Sequence, residues 1–196
     1  FEAAFGPELE AGDYLIKLIK GKDTLSTKLT INNNPDVNHS AADRQLRRES
    51  LLKAYNLLEE LAYVDYQAIE IRKQTLALAD SVKNKGLRAN SFKYADKMAA
   101  MHEKISATQP GEGGVAGQIR LREKIAEVYS AIGSYEGKPT DLQLAALSVY
   151  VDAVKAMQSE LDILIKGDLA NYNAGIVRAG LQPVKVSDKA TFMQSK

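Results

Sequence analysis

No cysteine occurs among the 196 residues, which removes disulfides, thiolate zinc sites and cysteine nucleophiles together. Tryptophan is absent as well, and the only histidines are His39 and His102, so few parts remain for a catalytic site. No apolar run approaches the roughly 18 residues that a membrane-spanning helix needs. Charge of one sign is lacking too: Lys and Arg number 26 against 25 Asp and Glu, a formal net charge of +1. A nucleic-acid binder shows a basic excess or stripe, and an anionic membrane surface asks for the same. What is present is a 45% share of hydrophobic residues, enough to bury the core of one bundle-sized domain. The chain opens on Phe1 with no signal-like segment, and it reads as part of something longer or as a processed form.

Five prolines, at 7, 35, 110, 139 and 183, fall where the hydrophobic pattern changes. Proline removes a backbone donor and breaks helix interiors, so the stretches between them are the candidate elements. Between Pro7 and Pro35 the period is two. Tyr14, Ile16 and Leu18 share a face, and after Lys20-Gly21-Lys22-Asp23 so do Leu25, Thr27, Leu29 and Ile31. This predicts a β-hairpin with a four-residue connection. Two strands alone are marginal in water. The hairpin therefore either lies on the helices or is the edge of a β-sandwich. Leu15 and Ile19, apolar on the opposite face, favour the sandwich.

Asn32 to Asp36 is a linker of turn-forming residues. A helix is predicted to open at Ser40, paired with Asp43 in the manner of a capping box, and to meet no glycine or proline until Gly86. Leu57, Leu61, Val64, Ala68, Ile71, Thr75, Leu78 and Val82 step by four and three, a coiled-coil-like seam. A polar break at 83–90 leads to a second helix expected from about Ser91 to Thr108. After the loop Pro110-Gly111-Glu112-Gly113-Gly114, a third is expected over roughly 115–133, with Leu121, Ile125, Val128 and Ile132 at helical spacing. The last opens at Thr140, with Gln143 at the capping-box position. It weakens at Gly167 and ends at Gly180, with Leu181 and Pro183 behind it. The fold class is therefore mainly α: an up-down-up-down four-helix bundle of two long and two short helices, preceded by a β-hairpin that is a remnant or edge of a β-sandwich. The organisation is hairpin and linker at 1–35, bundle at 36–184 and a polar, frayed tail at 185–196. The long pair is expected to project past the short pair as a stalk.

Candidate chemistry is sparse. A di-metal bundle site needs a Glu-x-x-His from each of two helices, whereas Ala99 stands three residues before His102 and His39 is in the linker. No metal ligand, catalytic residue or cofactor-binding residue is assigned, and His102 reads as a helix-surface residue. Glu59 and Glu60, neighbours on a helix amid balanced charge, read as a solvated face. The glycine-rich loop lacks the Gly-Lys-Ser/Thr ending of a phosphate loop. Asn38-His39-Ser40 matches a glycosylation sequon. Tyr55, Tyr63 and Tyr66 cluster on the first helix and are the candidate binding surface for a sugar or peptide, against the plainer reading of tyrosines at the edge of the core.

Several segments are similar to one family. Phe5-Gly6-Pro7 followed by Gly12-Asp13-Tyr14-Leu15-Ile16-Lys17-Leu18 resembles the lead-in to a strand pair near the end of large exported bacterial proteins. Those proteins carry sortilin-like BNR/Asp-box β-propellers and are often labelled glycosyl hydrolase or sialidase-like. Lys28 to Ile31, Asn34-Pro35-Asp36, Pro139-Thr140 with Gln143, and Asn173 with Arg178-Ala179-Gly180-Leu181-Gln182-Pro183-Val184 resemble later parts of the same region. Gln182 departs from a usual proline, and no Asp-box motif occurs in this chain. The resemblance implies that the propeller, and any hydrolytic site, lies upstream of residue 1. It also implies a periplasmic, cell-surface or secreted setting. The expectation is a non-catalytic C-terminal structural and interaction module. Its partners are the upstream domains of the parent chain, and a protein partner or a second copy met through the long helices, with no nucleic acid and no membrane span. The alternatives are a segment of a glycoside hydrolase whose active site lies upstream, and a carbohydrate- or peptide-binding bundle.

Overall fold

The computed structural model describes residues 6–107 and 119–194. The Pro110–Gly114 loop lies outside the described residues. Period-two alternation draws Gly12–Lys20 (β1) and Asp23–Ile31 (β2) into an antiparallel pair with Tyr14 opposite Leu29, Ile16 opposite Thr27 and Leu18 opposite Leu25. The pairing of Lys20 with Asp23 leaves Gly21 and Lys22 as a two-residue connection, shorter than the four expected. Gly21 makes it possible, at φ 61°, a backbone region that glycine enters without strain. The hairpin is the whole sheet among the described residues.

The remainder is mainly helical. Ser40 caps α1 (Ala41–Ser81), its hydroxyl accepting from Asp43 N–H at 3.1 Å. The seam read from the sequence is buried at Leu57, Leu61, Val64, Ala68, Ile71 and Thr75. Helix α2 (Lys85–Ile105) begins six residues before Ser91. The Asn84 side chain accepts from the N–H groups of Gly86 and Leu87 at 2.9 and 3.0 Å, and this cap offsets the cost of glycine in a first turn. Helix α3 (Leu121–Gly133) starts later than expected, where Glu123 turns back to accept from Arg120 N–H at 3.0 Å. Helix α4 (Asp141–Ile163) opens with the expected reciprocal pair of Thr140 and Gln143. At the expected weak point it widens into a π-helical segment, Leu164–Leu169, then resumes as α5 (Ala170–Arg178). Gly180, at φ 76°, closes α5: its N–H reaches Val177 O, and Leu181 N–H reaches Ile176 O. That is the paired-bond stop foreseen from Gly180 and Leu181.

The helices form a bundle, but α3 keeps the direction of α2 instead of reversing it. Asp65 meets His102, Tyr55 meets Tyr129, and Arg47 donates to the carbonyls of Ile132 and Gly133. Residue numbers thus fall along α1 while they rise through α2 and then α3, so the two short helices lie in series. Ala107 N–H donates to Glu123 where they meet. At 1.5 Å per residue α1 is about 60 Å long and the two short helices together about 50 Å. Each covers a different stretch of α1, so the expected stalk is not formed. Helices α4 and α5 run back along the same groove, with Glu160 on Lys104, Asp168 on Lys97 and Tyr172 on Ser91.

The tail expected to fray is instead tied down. Val184 and Phe192 are buried, and Lys189–Gln194 forms a short helix, α6. Phe192 packs between Tyr63 and Tyr66 of α1 and Val184 is held by Asn173 of α5, which outweighs the low local hydrophobicity.

Candidate functional site

Tyr63 and Tyr66 lie three residues apart on α1 and so share a face. Their rings flank Phe192 at 5.5 and 5.3 Å between centroids, both tilted. Tyr55, two turns earlier, is not part of this group; its ring faces Tyr129 at 6.5 Å. The structure therefore brings two of the three candidate tyrosines together, and the chain's own tail covers them.

The tail reaches that platform as a non-helical segment held through its backbone. Asn173 on α5 donates to Val184 O and accepts from Val184 N–H, both at 2.9 Å. Gln74 on α1 does the same with Lys185, again at 2.9 Å in each direction. Tyr63 O–H and Gln67 Nε2–H both donate to Ser187 O, at 3.0 and 2.9 Å. Asp188 then caps α6 by accepting from Thr191 N–H at 2.8 Å. Burial pushes the Tyr63 phenol up from its ordinary value, and the Asp188 charge adds to the effect. Gln67 and Gln74, seven residues apart and polar beside an apolar seam, were the signal in the sequence that this face holds something.

A second polar group was not foreseen. His102, expected on the surface, is half-buried, and its Nδ1 lies 2.6 Å from Asp65 Oδ1. Burial raises the Asp65 pKa, opposed by the hydrogen bond and charge of His102, then by Arg122 and Ser106. Ser106 Oγ is buried near Asp65, with no well-aligned hydrogen-bond partner among the described residues. A Ser-His-Asp relay requires the imidazole to stand between hydroxyl and carboxylate. Here Ser106 acts on the carboxylate side of the pair, and the Asp65–His102 bond ties α1 to α2.

Near the π-helical segment a cleft of about 260 Å³ is lined by Asn90, Lys93, Tyr94, Lys97, Asp168, Asn171 and Tyr172. Several of its groups are already engaged. Tyr94 stacks on Tyr172 at 5.7 Å and donates to Leu164 O, while Lys97 pairs with Asp168. A larger cleft of about 660 Å³ separates the base of the hairpin from the start of α1. Arg47 and Arg48 there bind Glu8 and Glu10, and Arg47 also takes the α3 C-terminal carbonyls. These ion pairs are contacts between the hairpin's lead-in and the bundle. Among the described residues no three His, Cys, Asp or Glu side chains converge on one point, and no helix is long and apolar enough to cross a membrane.

Compared with family models, curated proteins and solved structures, the chain matches none.

Proposed function

We propose that this chain is a non-catalytic structural and interaction module, C-terminal in a larger exported bacterial protein, whose hairpin completes a β-sandwich supplied by upstream residues. The observation that carries the reading is the hairpin's uncovered apolar face. Tyr14, Ile16 and Leu18 stand opposite Leu29, Thr27 and Leu25, yet Leu18 is 65% and Leu25 70% exposed. Fully burying one such side chain is worth about 1.5–3 kcal/mol, so a covering sheet gains several kcal/mol from this face alone. Leu15 and Ile19 are exposed on the other face, and no described strand pairs with the outer edge of β1, as expected of a strand within a larger sheet covered on both faces. A further apolar line on α4, Leu142, Val149 and Ile163, keeps one face through spacings of seven and fourteen. With Leu142 81% and Ile163 71% exposed, it offers a protein partner a helix face. The exported setting and the upstream propeller rest on the resemblance of the strand-pair lead-in and the Gly180–Val184 closing segment.

The test is binding of an apolar fluorescent dye to the purified chain. Wild type is expected to bind it, and Leu18→Lys with Leu25→Lys to lose most of that signal while the helical melt stays unchanged. A wild-type chain that binds no dye and remains monomeric at high concentration contradicts the reading.

A further inference from the structure

We infer that the face built by Tyr63, Tyr66, Gln67 and Gln74 of α1 with Asn173 of α5 is a recognition groove for an extended peptide bearing an aromatic anchor. In this structure the chain's own residues 184–194 fill it. The inference rests on how that segment is held. Its hydrogen bonds to the groove go to main-chain atoms: both polar groups of Val184 to Asn173, both of Lys185 to Gln74, and the Ser187 carbonyl to Gln67 and Tyr63. Side-chain amides that close two-bond rings on a backbone recognise an extended conformation and are indifferent to sequence. Lys185, Val186 and Asp188 are accordingly exposed. Sequence enters at Val184, at Asp188, whose carboxylate opens the helical turn, and at Phe192, which is 6% exposed between the two tyrosines. This division, affinity from main-chain bonds and specificity from spaced pockets, is the general logic of extended-peptide recognition.

The groove's parts sit on helices packed into the bundle core, so they stay in place when the segment leaves. The partner's chemistry follows from the occupant: an apolar residue, a short extended stretch, then an Asp that opens one helical turn, with Phe or another aromatic four residues after that Asp. Such a segment from another protein competes with the tethered tail, whose effective concentration lies in the millimolar range for a short tether. The tail thus acts as a built-in competitor that sets the threshold for capture.

The test is fluorescence anisotropy on the full chain with a labelled synthetic peptide of residues 184–194. Wild type is expected to bind it weakly, because the groove is filled in cis. Phe192→Ala in the chain frees the anchor pocket and is expected to tighten binding at least tenfold, in line with the dependence of apparent affinity on the open fraction. Adding Gln74→Ala to that variant, or Phe→Ala in the peptide, is expected to abolish the gain. Should Phe192→Ala lose helicity, Lys185→Pro deletes the N–H that Gln74 accepts and loosens the tail by another route. A folded Phe192→Ala or Lys185→Pro chain that binds the peptide no tighter than wild type overturns the inference. Wild-type dimers that dissolve in Phe192→Ala overturn it too, by assigning the groove to a second copy. Neither outcome touches the hairpin reading, which involves other residues.

Discussion

Ser91 and Tyr172 offer the sharpest test of how the helix beyond the π-helical segment is anchored. Ser91 is fully buried and Tyr172 nearly so. Ser91 Oγ donates its single proton to Leu87 O at 3.0 Å, so in the 2.7 Å contact with Tyr172 the phenol is the donor. Ser91→Ala therefore strands a buried O–H, at a cost of about 1–3 kcal/mol. Tyr172→Phe leaves Ser91 its bond to Leu87 and is expected to cost less, about 0.5–1.5 kcal/mol. In the double variant neither group is stranded, so the combined loss should fall below the sum of the single losses. Urea unfolding followed by circular dichroism measures all three. Strictly additive losses, or a Ser91→Ala chain as stable as wild type, would refute the reasoning. The bond joins α2 to the helix that carries Asn173, so a weakened pair should also loosen Val184 at the start of the tail.

Two glycines should respond with opposite signs. Gly180→Ala forces a side chain into a left-handed position and is expected to destabilise by about 1–2 kcal/mol. Gly167→Ala, with nothing within 4 Å of the added carbon, is expected to stabilise by up to about 1 kcal/mol in the same denaturant assay. Ile71→Ala removes a fully buried side chain from the α1 seam and should cost about 2–5 kcal/mol. Burial, then the charge of Asp168, holds the Tyr94 phenol well above the ordinary 10.0. Its contribution to stability is complete below pH 10 and is lost as pH rises beyond that toward the folded value, because the unfolded chain ionises first. Tyr94→Phe should flatten this alkaline decline, read as unfolding midpoint against pH.

Much of the fold was legible because its signals are local. The hairpin follows from alternation, the α1 seam from steps of three and four, and the end of α5 from Gly180 and Leu181. Helix α2 starts early because one side chain, Asn84, satisfies two N–H groups, a contribution that hydrophobic period does not register. The series placement of α2 and α3 depends on how α1's length is shared out, which no single segment encodes. Of the three candidate tyrosines only Tyr63 and Tyr66 come together, and what lies on them was not legible. Phe192 lies 126 residues from Tyr66 and is the lone aromatic of a polar stretch. The Asp65–His102 pair, 37 residues apart, is hidden for the same reason: it forms only once α2 folds back on α1.

Amide hydrogen exchange across the whole chain tests the central claim most directly, because it compares the buried bundle with a hairpin whose apolar side chains are exposed. A two-stranded hairpin is marginal in water, and local opening scales with missing burial. The account predicts that amides of Gly12–Lys20 and Asp23–Ile31 exchange orders of magnitude faster than those of Leu57–Thr75. Protection of the hairpin equal to that of the α1 core, in a monomeric chain, would show that it needs nothing further to complete it and would contradict the account.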